Sequence, residues 1–484
     1  MNVYERTQQR LKTVFDLFDN VYVSFSGGKD SGVLLNLCID YIRRHHLKRR
    51  IGVFHMDYEI QYRDTVDYVN RTLAANADIL DVYRVCVPFK VLTCTSMFQQ
   101  YWRPWEESKR ELWVREMPAG CLTHRDFPFF RDDMWDYEFQ NCFAEWLHAR
   151  NRAARTCCLI GIRTQESFNR WRTIYSDRNH HRFSGKRWIR QWVGGGICNA
   201  YPLYDWLTTD IWTANGRFGW PYNRIYDLFY MAGVPLESQR VASPFISQAI
   251  SSLHLYKAID PDTWGRMIGR VNGANFAALY GRTAAAGWQS VKLPKGMTWE
   301  GYMHFLLSTL PERTRSNYLE KLSVSIRFWR EKGGCLPDET IAKLQRAGIR
   351  IEIGGKSAYR TDKRPVRMEY LDDIDLPEFS RLPTFKRICI CILKNDHACK
   401  YMGFSPNKRF TCSKPPPFVA WPPVTVPFLT VTSISLSSPE METTVFLPSP
   451  DSVYPPRSSV RDLLISIFSV TSWSMTIVTS LFAS

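Results

Sequence analysis

Apolar residues recur at two different spacings along the first 230 positions, and the chain switches between them repeatedly. Across residues 6–19, Leu11, Val14, Phe15 and Phe18 fall on one face of a 3.6-residue repeat, which predicts a helix. Val21–Phe25 is a short β-favouring run, and Gly32–Arg43 returns to helical spacing. Ile51–Met56 (IGVFHM), Val82–Val87 (VYRVCV, stopped by Pro88) and Thr156–Ile162 (TCCLIGI) predict three more strands. Strands alternating with helices predict βαβ units, hence an α/β fold with a parallel sheet and helices on both faces. From about residue 236 to 350 the spacing is helical, most clearly in WEGYMHFLLSTL and RSNYLEKLSVSIRFW. No internal repeat is present.

The pattern then fails altogether. Beyond Thr411 there are 3 basic and 4 acidic residues, and 11 of the 27 prolines lie there amid Ser and Thr. Such a stretch cannot bury enough surface to offset its ordering entropy. The expected organisation is an α/β domain over 1–235, a mainly helical domain with a Cys-rich end over 236–408, and a disordered tail over 409–484. The change after Lys408 is abrupt, as if an altered reading frame had replaced the natural end. The last 22 residues, LLISIFSVTSWSMTIVTSLFAS, carry no charge, but their nine Ser/Thr make a poor membrane span.

Composition adds a direction. The 63 Lys+Arg against 47 Asp+Glu give +16, which suggests an anionic partner: nucleotide, phosphate or nucleic acid. Thirteen cysteines without a disulfide-scaffold spacing, and an N-terminus lacking the apolar core of a signal peptide, predict a cytoplasmic setting.

The candidate chemistry starts at Val21–Leu37, VYVSFSGGKDSGVLLNL. A strand that ends in Ser-Gly-Gly and continues into a helix gathers backbone N–H groups at one concave point, an anion site reinforced by the helix dipole. Gly27 and Gly28 permit the tight backbone. Lys29 can neutralise phosphate, Ser26 and Ser31 can donate hydroxyl hydrogen bonds, and Asp30 can cap the helix or help hold a metal-bound phosphate. The spacing is neither G-x-x-x-x-G-K-[ST] nor G-x-G-x-x-G.

SGGKDS resembles the PP-loop of the adenine-nucleotide α-hydrolase superfamily. Three further blocks resemble its phosphoadenosine phosphosulfate reductase branch: HMDYE (His55–Glu59), GIRTQESFNRW (Gly161–Trp171), and PLYDWLTTDIW (Pro202–Trp212) followed by NRIYDLFYMAGVP. The resemblance covers roughly residues 1–250. It implies that the loop holds the phosphates of ATP or phosphoadenosine phosphosulfate, with magnesium as companion ion. Arg163 and Arg170, flanking Glu166 and Ser167 just after a strand, can bind phosphate or sulfate bidentately; Arg163 can instead pair with Glu166. Asp57 and Glu59 are candidates for ribose or magnesium, or are solvated loop acids. Asp205 is expected to cap a helix or hold an arginine.

Three features leave alternatives open. YSDRNHHRFSGKRWIRQW (175–192) interleaves cations with rings and reads as a lid over the nucleotide, or as a nucleic-acid surface. The Arg43–Arg50 cluster reads as a solvated helix end. RICICILKNDHACKYMGF places Cys389, Cys391, His397 and Cys399 close together; they are candidate zinc or iron–sulfur ligands, but Cys389 and Cys391 are expected to be buried on a strand. The family's sulfate-reducing members use a cysteine in E-C-G-[IL]-H, which this chain lacks; Cys94, Cys157, Cys158 and Cys389 are the thiols near recognisable elements. The layout resembles the uncharacterised branch that includes immunoglobulin-binding regulator A, whose members are often paired with a ParB-like partner. This implies an enzyme acting on a phosphosulfate or ATP α-phosphate, a sulfur-transfer enzyme acting on nucleic acid, or a non-catalytic coactivator.

Overall fold

A computed structural model of the chain describes residues 1–175, 181–192, 195–241, 243–246, 249–280, 291–355, 363–404, 467–471 and 474–478. Helix α1 (Val3–Leu17) begins in a capping box: Asn2 Oδ1 accepts from Glu5 N, and Asn2 N donates to the Glu5 carboxylate. Strand β1 (Asn20–Ser24) leads into α2 (Lys29–Arg44), then β2 (Ile51–Met56), α3 (Arg63–Ala75) and β3 (Leu80–Val85). The short strands β4 (Val91–Leu92) and β5 (Tyr101–Trp102) pair with each other. Then come α4 (Asp136–Arg150), β6 (Thr156–Ile160), α5 (Phe168–Tyr175), β7 (His181–Phe183), β8 (Lys186–Gln191), β9 (Ile197–Ala200), α6 (Thr208–Phe218) and α7 (Ile225–Met231).

These strands form one sheet of seven in the order β3-β2-β1-β6-β9-β8-β7, parallel from β3 to β9 and antiparallel over the last two pairings. The chain first builds outward from β1 to β3 and then returns to build the other half from β6. The order therefore reverses between β1 and β6, where Ser24 lies opposite Ile160. Open α/β sheets bind ligands in the crevice beyond such a pair.

Period-2 alternation sorts the sheet residues between two cores. Val21, Val23, Cys157 and Leu159 join Leu11, Val14, Leu34 and Leu37 on one face. Tyr22 and Cys158 join Phe54, Phe139 and Phe143 on the other, so the adjacent cysteines serve opposite layers. Phe54 and Phe143 stack at 4.1 Å.

Helices α8 (Leu255–Ile259), α9 (Pro261–Arg270) and α10 (Ala274–Tyr280) follow. Met267, Val271 and Ala274 complete the Phe54–Phe143 core. Next are α11 (Trp299–Ser308), α12 (Glu312–Glu331), β10 (Gly334–Leu336), α13 (Asp338–Arg346), β11 (Ile351–Ile353), β12 (Arg364–Met368) and α14 (Phe385–Leu393), the three strands forming an antiparallel sheet in the order β10-β12-β11. ICICIL, expected as a strand, is helix α14. Residues 387–392 are all buried, so the run has no polar partner positions to reveal its period.

Met1–Ser413 is one compact unit and Lys414–Ser484 another. In the second, β13 (Ile467–Thr471) and β14 (Ser474–Val478) pair as an antiparallel hairpin. The expected disorder of the tail otherwise concerns residues outside the described set. Among the described residues, no helix is long and apolar enough to cross a membrane.

Candidate functional site

The SGGKDS segment is built from local constraints. After β1, Phe25 N still donates to Phe54 O at 2.9 Å, and the chain then turns through Gly27 at φ 75°. A Cβ there would lie 2.8 Å from Val69 Cγ2 and 3.1 Å from Thr65 Cγ2, so both conformation and space require glycine. Ser26 and Ser31 hydroxyls share a hydrogen bond at 3.0 Å, Gly28 N donates to Ser26 Oγ at 3.3 Å, and Ser31 Oγ donates to Gly28 O at 3.1 Å. Helix α2 opens at Gly28 with no side-chain cap; Lys29 N donates to Tyr226 Oη at 2.9 Å. From α7's approach, Asn223 Nδ2 donates to Gly27 O, also at 2.9 Å. On the β6 side, a Cβ on Gly161 would sit 3.0 Å from the Asp30 carbonyl, which explains why the two loops can abut.

Four cations converge on this point. Lys29 is buried, its Nζ donating to Gln239 O at 3.0 Å, 3.4 Å from Asp30 Oδ2 and 5.4 Å from the Tyr226 ring centre. Arg163, only 2% exposed, donates from Nε to Asp30 and from Nη1 to Gln165 Oε1 (3.1 Å) and Thr208 Oγ1 (3.2 Å). Its guanidinium stands 3.8 Å from Glu166 Oε1. The reading that pairs Arg163 with Glu166 is met at that distance, but the nearest acid to Arg163 is Asp30. Arg170 pairs with Glu166, and Arg240 Nη2 donates to Glu166 O at 3.1 Å. Ser167 Oγ accepts from Arg170 N at 3.3 Å, which makes it a cap for α5. Burial pulls Lys29 down from its ordinary pKa; Asp30 opposes this, and Arg163 and Arg240 add to it. Burial likewise lowers Arg170, with Asp30 opposing and Arg240 and Arg163 reinforcing. Lys29, Arg163, Arg170 and Arg240 stand against two acids, Asp30 and Glu166. An excess of partly desolvated positive charge at the start of a helix attracts an anion.

Other expected residues lie elsewhere or do other work. Asp57 and Glu59 are not solvated loop acids: both are 0% exposed. Asp57 pairs with Arg84 (2.9 Å) and Arg115 and accepts from Glu59 N at 3.0 Å. Burial works to raise its pKa, but Arg115, His55 and Arg84 outweigh it and hold the carboxyl below its usual range. Glu59, at φ 66°, is clasped by Arg270 (3.0 and 3.1 Å) and accepts from Trp105 N and Val114 N. With Asp57 so fully engaged, neither ribose nor magnesium finds a free carboxylate in it. Asp30 is also spent, and it pairs with Arg163 instead of capping α2. The acids of the site therefore do not fit a protein-held magnesium ion, and among the described residues no group of three or more His, Cys, Asp or Glu is arranged to hold a metal.

Asp205 holds Arg10 and Arg6 of α1 (2.6 and 3.0 Å). In the Cys-rich end, Cys389 Sγ bonds to Trp299 O at 3.5 Å, Cys391 Sγ to Asp396 Oδ2 at 3.7 Å and to Cys399, and His397 Nε2 with Ser96 O at 2.9 Å. Cys399 is buried among α11, α12 and α14. The expected lid is not one over 181–191, because β7 and β8 extend the main sheet beyond β9; residues 176–180 lie outside the described set. The Arg43–Arg50 cluster is an exposed end of α2, as expected, with Arg43 paired to Asp78 and Arg50 to Asp81.

Sequence reasoning missed Arg240, Gln239 and Tyr226. Tyr226 lies within NRIYDLFYMAGVP, but nothing in the spacing shows that its hydroxyl meets Lys29. Arg240 lies 70 residues beyond Arg170 with no motif around it.

Residues 20–232 match the family described as the phosphoadenosine phosphosulfate reductase domain, and residues 233–412 match a domain of unknown function, DUF3440. The chain is 32% identical over 413 residues to the uncharacterized protein YbdN of Escherichia coli (strain K12), spanning 84% of this chain and 92% of that protein. Among solved structures, it is similar to phosphoadenylyl-sulfate (PAPS) reductase from Candida auris in its phosphate complex (16% identity, 49% of this chain and 87% of that one, TM-score 0.27). It is also similar to the U34-tRNA thiolase NcsA from Methanococcus maripaludis (10% identity, 61% and 85%, TM-score 0.27).

Proposed function

This chain belongs to the phosphoadenosine phosphosulfate reductase family, in the same uncharacterised branch as YbdN, and from that premise we propose that it binds an adenine nucleotide and acts at a phosphosulfate or an ATP α-phosphate. The observation that carries the reading is the convergence of Lys29, Arg163, Arg170 and Arg240 at the start of α2. Backbone N–H groups of the Ser26–Ser31 loop would hold non-bridging oxygens, and the arginines would take up charge as it develops on the leaving group. Preorganised donors of this kind act most strongly on the transition state, because they need not reorient as charge moves. Asp30 and Glu166 would act as positioning residues that hold the arginines in register. Magnesium would arrive on the phosphates; no step here depends on it.

Three thiols near the recognisable elements are poor nucleophiles. Burial pushes Cys157 up and Cys158 and Cys389 up to about 12, so these sulfurs stay protonated at neutral pH. The same observation favours a second reading, a nucleotide-binding regulator without catalysis. Calorimetry with ATP and with phosphoadenosine phosphosulfate, followed by assays for released pyrophosphate, phosphate, sulfate and sulfite, tests both. Binding with turnover supports the enzyme, binding alone supports the regulator, and no binding of either nucleotide refutes the cradle.

A further inference from the structure

A pair of thiols stands outside the anion cradle, at the end of β3. Val85 and Leu122 form a parallel bridge there, with Cys86 N donating to Leu122 O at 2.8 Å and Leu122 N to Arg84 O at 2.7 Å. Cys86 and Cys121 pack in one small apolar cluster with Trp105, Trp113 and Met117. Both are free thiols, and their sulfurs share a hydrogen bond.

The two differ in access. Cys86 is 1% exposed, whereas Cys121 is half-buried; among the described cysteines, only Cys121 and Cys335 are not buried. The approach to Cys121 runs through exposed Ala119 and Gly120. Gly120 turns at φ 69° and a Cβ there would meet nothing within 4 Å, so this approach has room to shift. The hydrogen bond with Cys86 draws the Cys121 thiol below its ordinary pKa, with Arg84 helping and burial and Asp57 opposing. The same bond and burial push Cys86 up. A reachable sulfur with thiolate character beside a buried thiol is the arrangement that oxidants convert into a disulfide.

We propose that Cys86 and Cys121 are a reversible modification site, joined as a disulfide when a peroxide reaches the protein. The Cys121 thiolate attacks one peroxide oxygen, the O–O bond breaks, and the departing hydroxide takes a proton to become water. Cys86 then attacks the sulfenic sulfur, and its proton leaves with the hydroxyl as a second water. The two thiols lose two electrons and two protons, and the peroxide takes up both. The same segment clamps the acids at the end of β2: Trp105 Nε1 donates to Asp57 O at 2.7 Å, Val114 N to Glu59 Oε1 at 3.2 Å and Arg115 Nε to Glu59 O at 3.1 Å. The disulfide ties that clamp covalently to β3 and constrains the unfolded chain.

The test treats the full chain with hydrogen peroxide, alkylates the remaining thiols in denaturant, and maps peptides by mass spectrometry without reduction. Wild type should yield the Cys86 and Cys121 peptides joined, lighter by two hydrogen masses, and dithiothreitol should separate them. Cys121→Ser should give no joined peptide and leave Cys86 open to alkylation. Cys86→Ser should trap the sulfenic acid, read as a dimedone adduct on Cys121. If Cys86→Ser fails to fold, wild type and the variant at half-buried Cys121 still decide the matter. Absence of the joined peptide in wild type while Cys335 is oxidised, a bond from Cys121 to another cysteine, or joining only in urea would overturn the proposal.

Discussion

Lys29→Met should weaken nucleotide binding sharply while leaving the free protein as stable as before, or more so. The substitution keeps most of the side-chain volume and removes the charge. In the free protein that charge is buried and stands near Arg163 and Arg240 as well as Asp30, and its pKa is lowered chiefly by desolvation. A group whose folded pKa is depressed contributes its stability above the unfolded pKa, near 10.4 for lysine, and loses that contribution as pH falls through the folded pKa. At neutral pH Lys29 is therefore a charge the fold has to desolvate. Its removal relieves that penalty, offset by the donor lost to Gln239 O, worth roughly 0.5–1.5 kcal/mol. A bound phosphate changes the balance, since Lys29 then makes a charge-assisted bond worth about 1.5–3 kcal/mol. Losing it should weaken binding roughly 10- to 150-fold. With ligand at a hundred times the wild-type Kd, binding adds about 2.7 kcal/mol to stability; a hundredfold weaker variant retains only about 0.4. Differential scanning fluorimetry with and without ATP reads both terms. The variant should melt at or above wild type without ligand and lose most of the ATP-induced shift. A marked fall in Tm without ligand, or a full ATP shift in the variant, would refute the reasoning.

Asp205→Asn should destabilise the protein by about 2 kcal/mol at neutral pH, because Arg10 and Arg6 lose a partly buried partner. Burial works to raise the Asp205 pKa, but its hydrogen bond and charge pairing with Arg10 and Arg6 lower it overall, so its contribution is present above the unfolded value near 3.9 and fades as pH falls through the folded one. Denaturation curves of variant and wild type should therefore converge in acid, and a constant gap would count against the pairing. Phe143→Ala, which removes a ring stacked on Phe54, should cost about 3–5 kcal/mol in urea unfolding, and a loss below 1 would show that the core closes over the gap. No sulfite is expected from phosphoadenosine phosphosulfate with thioredoxin as reductant; sulfite release abolished by a single Cys→Ser change would reveal a nucleophile overlooked here.

The α/β core was legible because each of its signals is local. Strand β1, the two glycines and α2 lie within one continuous segment, and the requirement for glycine at position 27 follows from a backbone turn. ICICIL (388–393) was misread because a buried helix and a buried strand can carry the same run of Ile and Cys. Asp57 and Glu59 were placed correctly at the end of β2 but given the wrong surroundings, since Arg84, Arg115 and Arg270 reach them from three separate elements.

By itself, the sequence determined the strand–glycine–helix junction, whose turn is set by neighbouring residues whatever surrounds it. Only the tertiary structure decided which charges gather there. Lys29, Arg163, Arg170 and Arg240 meet because the strand order reverses between β1 and β6 and the chain beyond α7 folds back over Lys29. Hydrogen-bond geometry within one turn is written in neighbouring residues, whereas electrostatic convergence across 211 positions depends on how the whole chain packs.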